Sequence, residues 1–430
     1  MRMTSYNRDQ WEKKGERFNA SETNETEMKK TSARRSGYYL IFALMMLGLG
    51  ASDAARGVFA PLFGVRFSLS TGQISQIIMV SYLGNLLFML VGTGMSDRIG
   101  IRRAFLLSLF AWILSQGIYL LTDSYPALLL GVFLAMGAST LLNILLNMMS
   151  PLLFVGPATA VNSLFFIQEI GTTLTQGGVG RRADSIWTWK LLCLALLAIG
   201  LVSWLAYFRL SAGDSSLEKA DRKTREGEGR DRVGAVYRRI IREGDFWLFV
   251  LIFGFYFIAE HGIMNWMNLY GRKGLGMEAN RASLLPTLFF FGMMLGRLIF
   301  APLVGRMDLR RALLLFLGGG TCFYLLSFFF LGRAYWLLFA AGLGLSVIYP
   351  TMTMCIRLYF PEDIATTAAG AIMGLATCFD ILFNFSFGGL IDRVGYRLGI
   401  LLLPLFIVLC LGAYLLLFVR KGGGSQELLE

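Results

Sequence analysis

The chain has 430 residues, of which 55% are hydrophobic and only 16% are charged. Soluble globular proteins carry about 25% charged residues, so this composition argues against a soluble enzyme domain. The net charge is +12, yet the basic residues are spread over short polar segments instead of forming one patch. That distribution argues against a nucleic-acid partner and indicates segments that flank a lipid bilayer.

Long apolar runs separated by short polar links make up the chain after residue 36. A helix needs ~20 apolar residues to cross a bilayer, and in lipid a helix satisfies its own backbone polar groups. We therefore predict an all-α integral membrane protein with twelve transmembrane helices in two pseudo-symmetric six-helix bundles. The predicted spans are residues 37–63, 72–95, 103–123, 127–150, 158–180, 187–209, 246–270, 283–304, 312–331, 335–357, 366–390 and 398–419.

The charged residues between the runs predict the domain layout and the orientation. Three arginines in the short link "DRIGIRR" (97–103) place this link, and with it both termini, in the cytoplasm by the positive-inside rule. We expect a monomeric, multi-pass protein of the plasma membrane. The layout is a disordered cytoplasmic tail (1–36), an N-terminal six-helix bundle (37–210), a charged cytoplasmic linker (211–245), a C-terminal six-helix bundle (246–420) and a cytoplasmic tail (421–430).

A short internal repeat supports the division into two bundles. "RRAFLLSLF" begins at Arg102 and "RRALLLFLG" begins at Arg310, an offset of 208 residues, and each opens the third run of its bundle. Repeated halves that enclose a central site are a common plan of secondary transporters.

The link "DRIGIRRAF" (97–105) resembles the signature between helices 2 and 3 of the major facilitator superfamily. The six-plus-six layout and the long central linker are similar to that family too. Two features depart from its pattern: Thr93 stands at a family glycine, and the second copy, "GRMDLRRAL", is degenerate. The resemblance implies a cytoplasmic gate formed by Asp97, Arg98, Arg102 and Arg103, although the arginines would also act as plain topology determinants.

A narrower resemblance concerns two of the predicted spans. "YFIAEHGIMNWMNLY" is similar to helix 7 of the fucose, galactose and glucose proton symporters, with Glu260, Trp266 and Tyr270 on the pattern. "VNSLFFIQEIGTTLTQGG" is similar to helix 5 of the same group. The paired helix 4 element of some of these symporters is absent here.

Ionisable residues inside the predicted spans are the candidate functional groups. A charge at the bilayer centre costs ~2.5–3.5 kcal/mol on insertion scales, so such residues usually face a cavity or a partner. Low dielectric favours the neutral carboxyl group, which suits reversible proton binding. The predicted proton-coupling residues are Asp53, Glu169, Glu260, Asp380 and His261, which is the single histidine of the chain and would otherwise be a packed helix residue.

Further residues are assigned from their spacing. Asp53 and Arg56 are three apart and are expected to pair, and Arg297 is expected to be a structural partner near the cytoplasmic side. Polar residues at helical spacing form stripes on four spans, which would line a cavity or join helices by hydrogen bonds. The predicted substrate-binding residues are Asn143, Asn147, Asn162, Asn265, Trp266 and Asn384.

These features predict proton-coupled uptake of a small polar organic solute, of sugar or organic-acid type, by alternating access. The partners would be that solute, protons and the lipid bilayer. No nucleotide-binding motif or catalytic constellation is present, so no enzyme activity or cofactor is expected, and one histidine without clustered ligands predicts no metal site. Proton-coupled efflux of drugs or metabolites, and a sensor or assembly factor without transport, stay open, as does sodium in place of the proton.

Asp97→Asn should slow conformational cycling and leave substrate affinity unchanged, because the resemblance places Asp97 at the gate and not in the cavity. Equilibrium binding and counterflow exchange in proteoliposomes measure the two properties. Lost affinity with a normal exchange rate would contradict the gate role.

Overall fold

The computed structural model describes residues 5–121, 124–212, 214, 217, 238–331 and 333–422, and nearly all of them are helical. Helices α1–α6 are Ser5–Arg66, Thr71–Ile99, Ile101–Leu121, Tyr125–Leu153, Pro157–Gly177 and Ile186–Leu210. Helices α7–α9 are Gly244–Lys273, Leu284–Val304 and Leu309–Phe329. Helix α10 has two segments, Leu337–Leu345 and Ile348–Tyr359, and is followed by α11 (Glu362–Val394) and α12 (Leu402–Gly422).

Eleven of the described helices are long and apolar enough to cross a membrane. The predicted fifth span is also helical (α5, Pro157–Gly177), but it is not among the eleven because polar residues interrupt its apolar character. Large apolar side chains on several helices are exposed, among them Leu90, Leu315 and Leu416 at 60% or more. Outward-facing leucines of this kind suit lipid contact, so the chain is a multi-pass membrane protein.

Helix α1 differs from the prediction at its start. It begins at Ser5, inside the stretch of residues 1–36 that we predicted to be disordered. No proline occurs before Pro61, and this stretch contains many Glu, Lys and Arg residues, which have good helix propensity. Most of the predicted linker (211–245) and nearly all of the C-terminal tail (421–430) lie outside the described residues.

Helix pairing in the first six helices recurs in the last six. Helix α1 packs on α5 and α6, α3 packs on α4 and α6, and α2 packs on α4. Correspondingly, α7 packs on α11 and α12, α9 packs on α10 and α12, and α8 packs on α10. We call α1–α6 the N-terminal set and α7–α12 the C-terminal set.

The two sets meet along α1 and α7, α2 and α11, and α5 and α8. At one end of the bundle, residues close to the connections between helices join the two sets. Asp392 accepts a hydrogen bond from the Gly72 N–H at 3.1 Å, and the hydroxyl groups of Thr71 and Tyr396 are hydrogen-bonded at 3.1 Å. Arg272 forms an ion pair with Asp184. We call this end, which carries the α1–α2 and α11–α12 links, the closed side. Asp392, in the last turn of α11, therefore joins the two sets.

Glycines allow the helix backbones to touch on the closed side. A Cβ atom at Gly57 of α1 would overlap the carbonyl oxygen of Met264 on α7, and a Cβ at Gly388 of α11 would overlap Ser75 and Thr71 on α2. Because the obstacles at these two positions include backbone atoms, no side-chain rotation would relieve both overlaps.

Gly57→Ala should therefore destabilise this closed arrangement, since the added methyl group forces α1 and α7 apart, at a cost of about 1–3 kcal/mol. The thermal midpoint of the detergent-purified protein measures the effect. Gly318→Ala is the matched control, because a Cβ at Gly318 of α9 meets no atom within 4 Å. Equal midpoints for the two variants would show that the close approach is unimportant.

Candidate functional site

Glu169 and Arg297 form an ion pair between the two sets. The Arg297 Nη1 atom on α8 donates to Glu169 Oε1 on α5 at 2.7 Å, and both side chains are largely shielded from solvent. The second Glu169 oxygen is buried and has no protein partner. Arg297 thus has an ion-pair partner, and this partner is one of the predicted proton-coupling residues.

A break in α10 holds Arg297 in this position. Pro350 lacks an N–H group, so the carbonyl of Ser346 loses its usual helical donor four residues on. Arg297 Nε donates to this carbonyl at 3.3 Å. Tyr256 Oη of α7 likewise donates to the carbonyl of Leu345 at 3.3 Å. Both carbonyls at the break are therefore satisfied from neighbouring helices, as a low-dielectric interior requires.

Glu260 lies beside this ion pair. It is 9% exposed, and it is close enough to Arg297 and Glu169 for the three charges to interact. One guanidinium therefore faces two carboxylates. Glu260 and the adjacent His261 project from different parts of the helix surface, because neighbouring residues on a helix point about 100° apart.

His261 bonds instead to Asp380 of α11. The Nδ1 atom lies 2.7 Å from Asp380 Oδ2, with the imidazole 24% and the carboxyl 1% exposed. An ionised carboxylate can only accept hydrogen bonds, so Nδ1 carries the proton whenever Asp380 is charged. The other oxygen, Asp380 Oδ1, is buried without a protein partner. Two predicted proton-coupling residues, 119 positions apart in sequence, are thus in direct contact.

Arg56 does not form the ion pair that its spacing from Asp53 suggested. Its Nε donates to Asn265 Oδ1 at 2.9 Å and its Nη2 donates to Tyr82 Oη at 3.1 Å. Asn265 Nδ2 also donates to Tyr82 Oη, at 2.9 Å. This buried triad joins α1 and α2 to α7, and it directs the guanidinium of Arg56 toward the C-terminal set.

Asp53 is held by neutral donors of its own set. Ser139 Oγ of α4 donates to Asp53 Oδ2 at 3.1 Å, and Gln168 Nε2 of α5 lies at 3.4 Å from the same oxygen. The other oxygen is buried without a protein partner. The charges of Arg56 and Glu169 both act on Asp53, so it belongs to the same central group of charges.

The predicted substrate-binding amides divide into accessible and enclosed ones. Asn147 and Asn162 are exposed and Asn143 is half-buried, with its Oδ1 unpartnered. By contrast, Asn265 is fully buried in the Arg56 triad, and Trp266 Nε1 donates to Asn384 Oδ1 at 2.8 Å. In this conformation Asn265, Trp266 and Asn384 join the helices on the closed side, and their role in substrate binding stays a prediction.

The predicted gate residues lie near the end opposite the closed side. Arg102 Nε donates to Ser211 Oγ at 2.9 Å, and its guanidinium lies 5.8 Å from the centre of the Phe208 ring. These contacts tie α3 to the end of α6 within the N-terminal set. Arg98 and Arg103 are exposed, and the side chain of Asp97 lies outside the described ones.

Sequence reasoning missed three contributors to the site. Tyr82 gave no signal, because a tyrosine in an apolar run is ordinary. Gln168 lay beside the predicted polar stripe of its helix but was not singled out, whereas Ser139 belonged to the predicted stripe on the fourth span. Pro350 offered a usable signal, since a proline inside a membrane helix frees a carbonyl at a known offset. Within the part of the chain that the structure describes, no group of three or more metal-ligating side chains occurs.

Charged side chains from five helices meet inside a bundle of membrane-length helices, which is the arrangement of a membrane transport protein. The Major Facilitator Superfamily profile matches residues 40–379. The chain therefore belongs to the major facilitator superfamily, and it is a transporter rather than an enzyme. No curated protein sequence matches the chain.

Solved transporters share the fold at low sequence identity. A D-xylose–proton symporter is 14% identical, with a TM-score of 0.66 over 88% of this chain and 96% of that one. The nucleoside transporter NupG is 11% identical, with a TM-score of 0.66 over 90% and 99%. A POT family transporter in complex with a thioalcohol-conjugated peptide is 16% identical, with a TM-score of 0.65 over 90% and 96%. At these identities the likeness establishes the fold and leaves the substrate open.

Arg297→Gln should destabilise the protein, because it leaves Glu169 buried without its cation; such a loss costs up to about 3–5 kcal/mol. Glu169→Gln combined with Arg297→Gln should recover most of this loss, since two neutral amides replace the pair. Thermal midpoints of the wild type, both single variants and the double variant form the measurement. Strictly additive effects would show that the two residues do not interact.

Proposed function

We propose that the protein takes up a small polar organic solute, of sugar or organic-acid type, together with protons by alternating access. The observation that carries this proposal is the imbalance of charge at the centre of the bundle. Four carboxylates (Asp53, Glu169, Glu260 and Asp380) face only two arginines (Arg56 and Arg297) and one histidine.

Proton binding follows from this imbalance. Arginine keeps its charge in proteins, so two carboxylates are balanced at all times and two are left over. A buried carboxylate without a cation is strongly disfavoured, and taking up a proton relieves it. Asp53, Glu260 and the His261–Asp380 pair are the groups that can bind and release protons as the surroundings change, which is what coupling to a proton gradient requires.

Alternating access is supported by where the two sets are joined. Among the described residues, hydrogen bonds between the N- and C-terminal sets lie from the level of Glu169 and Arg297 to the closed side. Toward the other side, Asn147, Asn162 and Tyr349 are exposed. With the closed side outside the cell and the termini in the cytoplasm, this arrangement is an inward-facing state of a twelve-helix transporter in the plasma membrane.

The substrate class is inferred from the accessible polar groups. Asn143, Asn147 and Asn162 offer amides on the N-terminal set, and Asn147 already bonds the carbonyl of Asn143 at 2.8 Å. Accessible amides suit a solute with several hydroxyl or amine groups. A sugar fits this chemistry, and the solved D-xylose–proton symporter shares the fold.

The first experiment measures solute accumulation in proteoliposomes with an imposed inward proton gradient, using a panel of labelled sugars, nucleosides and organic acids. Loading of the vesicles supports uptake coupled to protons. Emptying of preloaded vesicles would favour the efflux alternative, and no flux of any solute would favour a sensor or assembly factor.

Glu260→Gln should lose accumulation driven by the proton gradient and keep solute exchange, because the amide mimics the protonated carboxyl and exchange needs no proton release. Uptake and counterflow of the same labelled solute are the two measurements. Glu243→Gln, an exposed glutamate at the start of α7, is the matched control. Accumulation by Glu260→Gln at the wild-type level would move the coupling role to His261 and Asp380.

A further inference from the structure

The imidazole of His261 lies between two aromatic rings. Phe257, one turn earlier on α7, stacks on it with ring centroids 5.2 Å apart and an interplanar angle of 28°. Tyr82 of α2 stacks on it at 5.4 Å and 25°. Phe257 belongs to the same helix and moves with His261, whereas Tyr82 belongs to the other set of helices. Only the Tyr82 contact can therefore open when the two sets move apart.

The hydroxyl of Tyr82 connects this stack to the contact between the sets. It accepts hydrogen bonds from Arg56 Nη2 and Asn265 Nδ2, and the Arg56 guanidinium lies over the Tyr82 ring at 4.8 Å from its centre. Tyr82, Arg56 and Asn265 are 2%, 4% and 0% exposed. The three residues form a buried layer that solvent does not cross in this conformation.

This layer lies between the His261–Asp380 pair and the closed side. Counting from the helix ends on that side, Asn265 is 8, Arg56 is 10 and Tyr82 is 11 residues deep, while His261 is 12 and Asp380 is 14 residues deep. At 1.5 Å per residue the layer is roughly 12–17 Å deep and the pair roughly 18–21 Å. Since the layer is buried, the 24% of the imidazole that is exposed faces the opposite side.

We propose that Tyr82 is the gating residue of the His261–Asp380 pair: its ring closes the pair to the outside, and its hydroxyl makes that closure part of the contact between the two sets. The proposal rests on the proposed function, in which this pair binds a transported proton. The charged groups that act on His261 are Asp380 on α11, Glu260 on its own helix and Arg56 on α1, and the ring of Tyr82 on α2 stacks on it.

The ring and the hydroxyl of Tyr82 have separate roles. The ring shields His261, so a proton reaches the pair from one side at a time. The hydroxyl is hydrogen-bonded to Arg56 on α1 and to Asn265 on α7. The ring therefore uncovers His261 only when α1 and α7 separate. Without the ring, a proton could enter the pair from outside and leave toward the inside without solute.

The first test uses the fact that His261 is the only histidine in the chain. Its rate of modification by diethylpyrocarbonate is measured by mass spectrometry on protein purified through a tag without histidine. Tyr82→Ala should raise the rate about fivefold, the ratio that corresponds to the loss of the one aromatic contact that covers the imidazole. Tyr82→Phe keeps the ring and should leave the rate unchanged, as should the control Tyr335→Ala at an exposed tyrosine.

The second test measures proton flux without solute, using a pH-sensitive dye trapped in proteoliposomes. Tyr82→Ala should leak protons several-fold faster than the wild type, and adding His261→Asn should abolish the leak. Tyr82→Phe should show no leak and a changed rate of solute exchange, because only the tie between the sets is lost. An unchanged modification rate, or a leak that persists without His261, would overturn the proposal.

Failure of the gating role and failure of the proposed transport function give different results, because transport is tested with the wild type alone. If the wild type does not accumulate solute on a proton gradient, the coupling assignment fails whatever Tyr82 does. If it does accumulate solute and Tyr82→Ala stays fully coupled without a leak, the gating role of Tyr82 fails and the transport function stands.

Discussion

The unequal number of fixed positive and negative charges at the centre of the bundle is the constraint on which the rest of the site depends. Carboxylates are tolerated away from water only with a cation, a hydrogen-bond donor or a proton. Here Arg297 satisfies Glu169, neutral donors hold one oxygen of Asp53, and His261 meets Asp380. Glu260 shares Arg297 with Glu169. Each of these contacts involves a different pair of helices, so the protonation of the centre and the arrangement of the helices are physically linked.

The contacts between helices indicate which rearrangement would accompany a change in the protonation of the centre. The main pairings within α1–α6 recur six helices later in the chain. The same shift of six helices turns the contact of α2 with α11 into the contact of α8 with α5. In the proposed alternating access, the two sets would rock about their common surface. The glycines at positions 57 and 388 bring the backbones together on one side, and the ionisable groups lie just below that contact.

The sequence predicted the helices well because apolar length is a direct consequence of the lipid environment. It predicted the buried ionisable residues for the same reason, since each is costly and therefore conspicuous. It could not predict their partners. Spacing suggested that Asp53 pairs with Arg56, but Arg56 reaches Asn265 across the two sets, 209 positions away. Likewise, His261 meets Asp380 and not its neighbour Glu260, because contact between helices depends on their rotation and depth, which local spacing does not encode.

The low apolar content of α5 bears on how the chain is assembled. This helix carries Asn162, Gln168, Glu169, Thr172 and Gln176, so lipid alone is a poor solvent for it. Helix α5 packs on α1, which is synthesised earlier. Gly50 and Gly171 allow the two backbones to touch, and the Thr172 hydroxyl donates to the carbonyl of Gly50 at 3.2 Å. Entry of α5 into the bilayer is therefore best understood as docking onto a helix that is already in place. The residues that make the centre polar thus also make biogenesis of the N-terminal set a cooperative event.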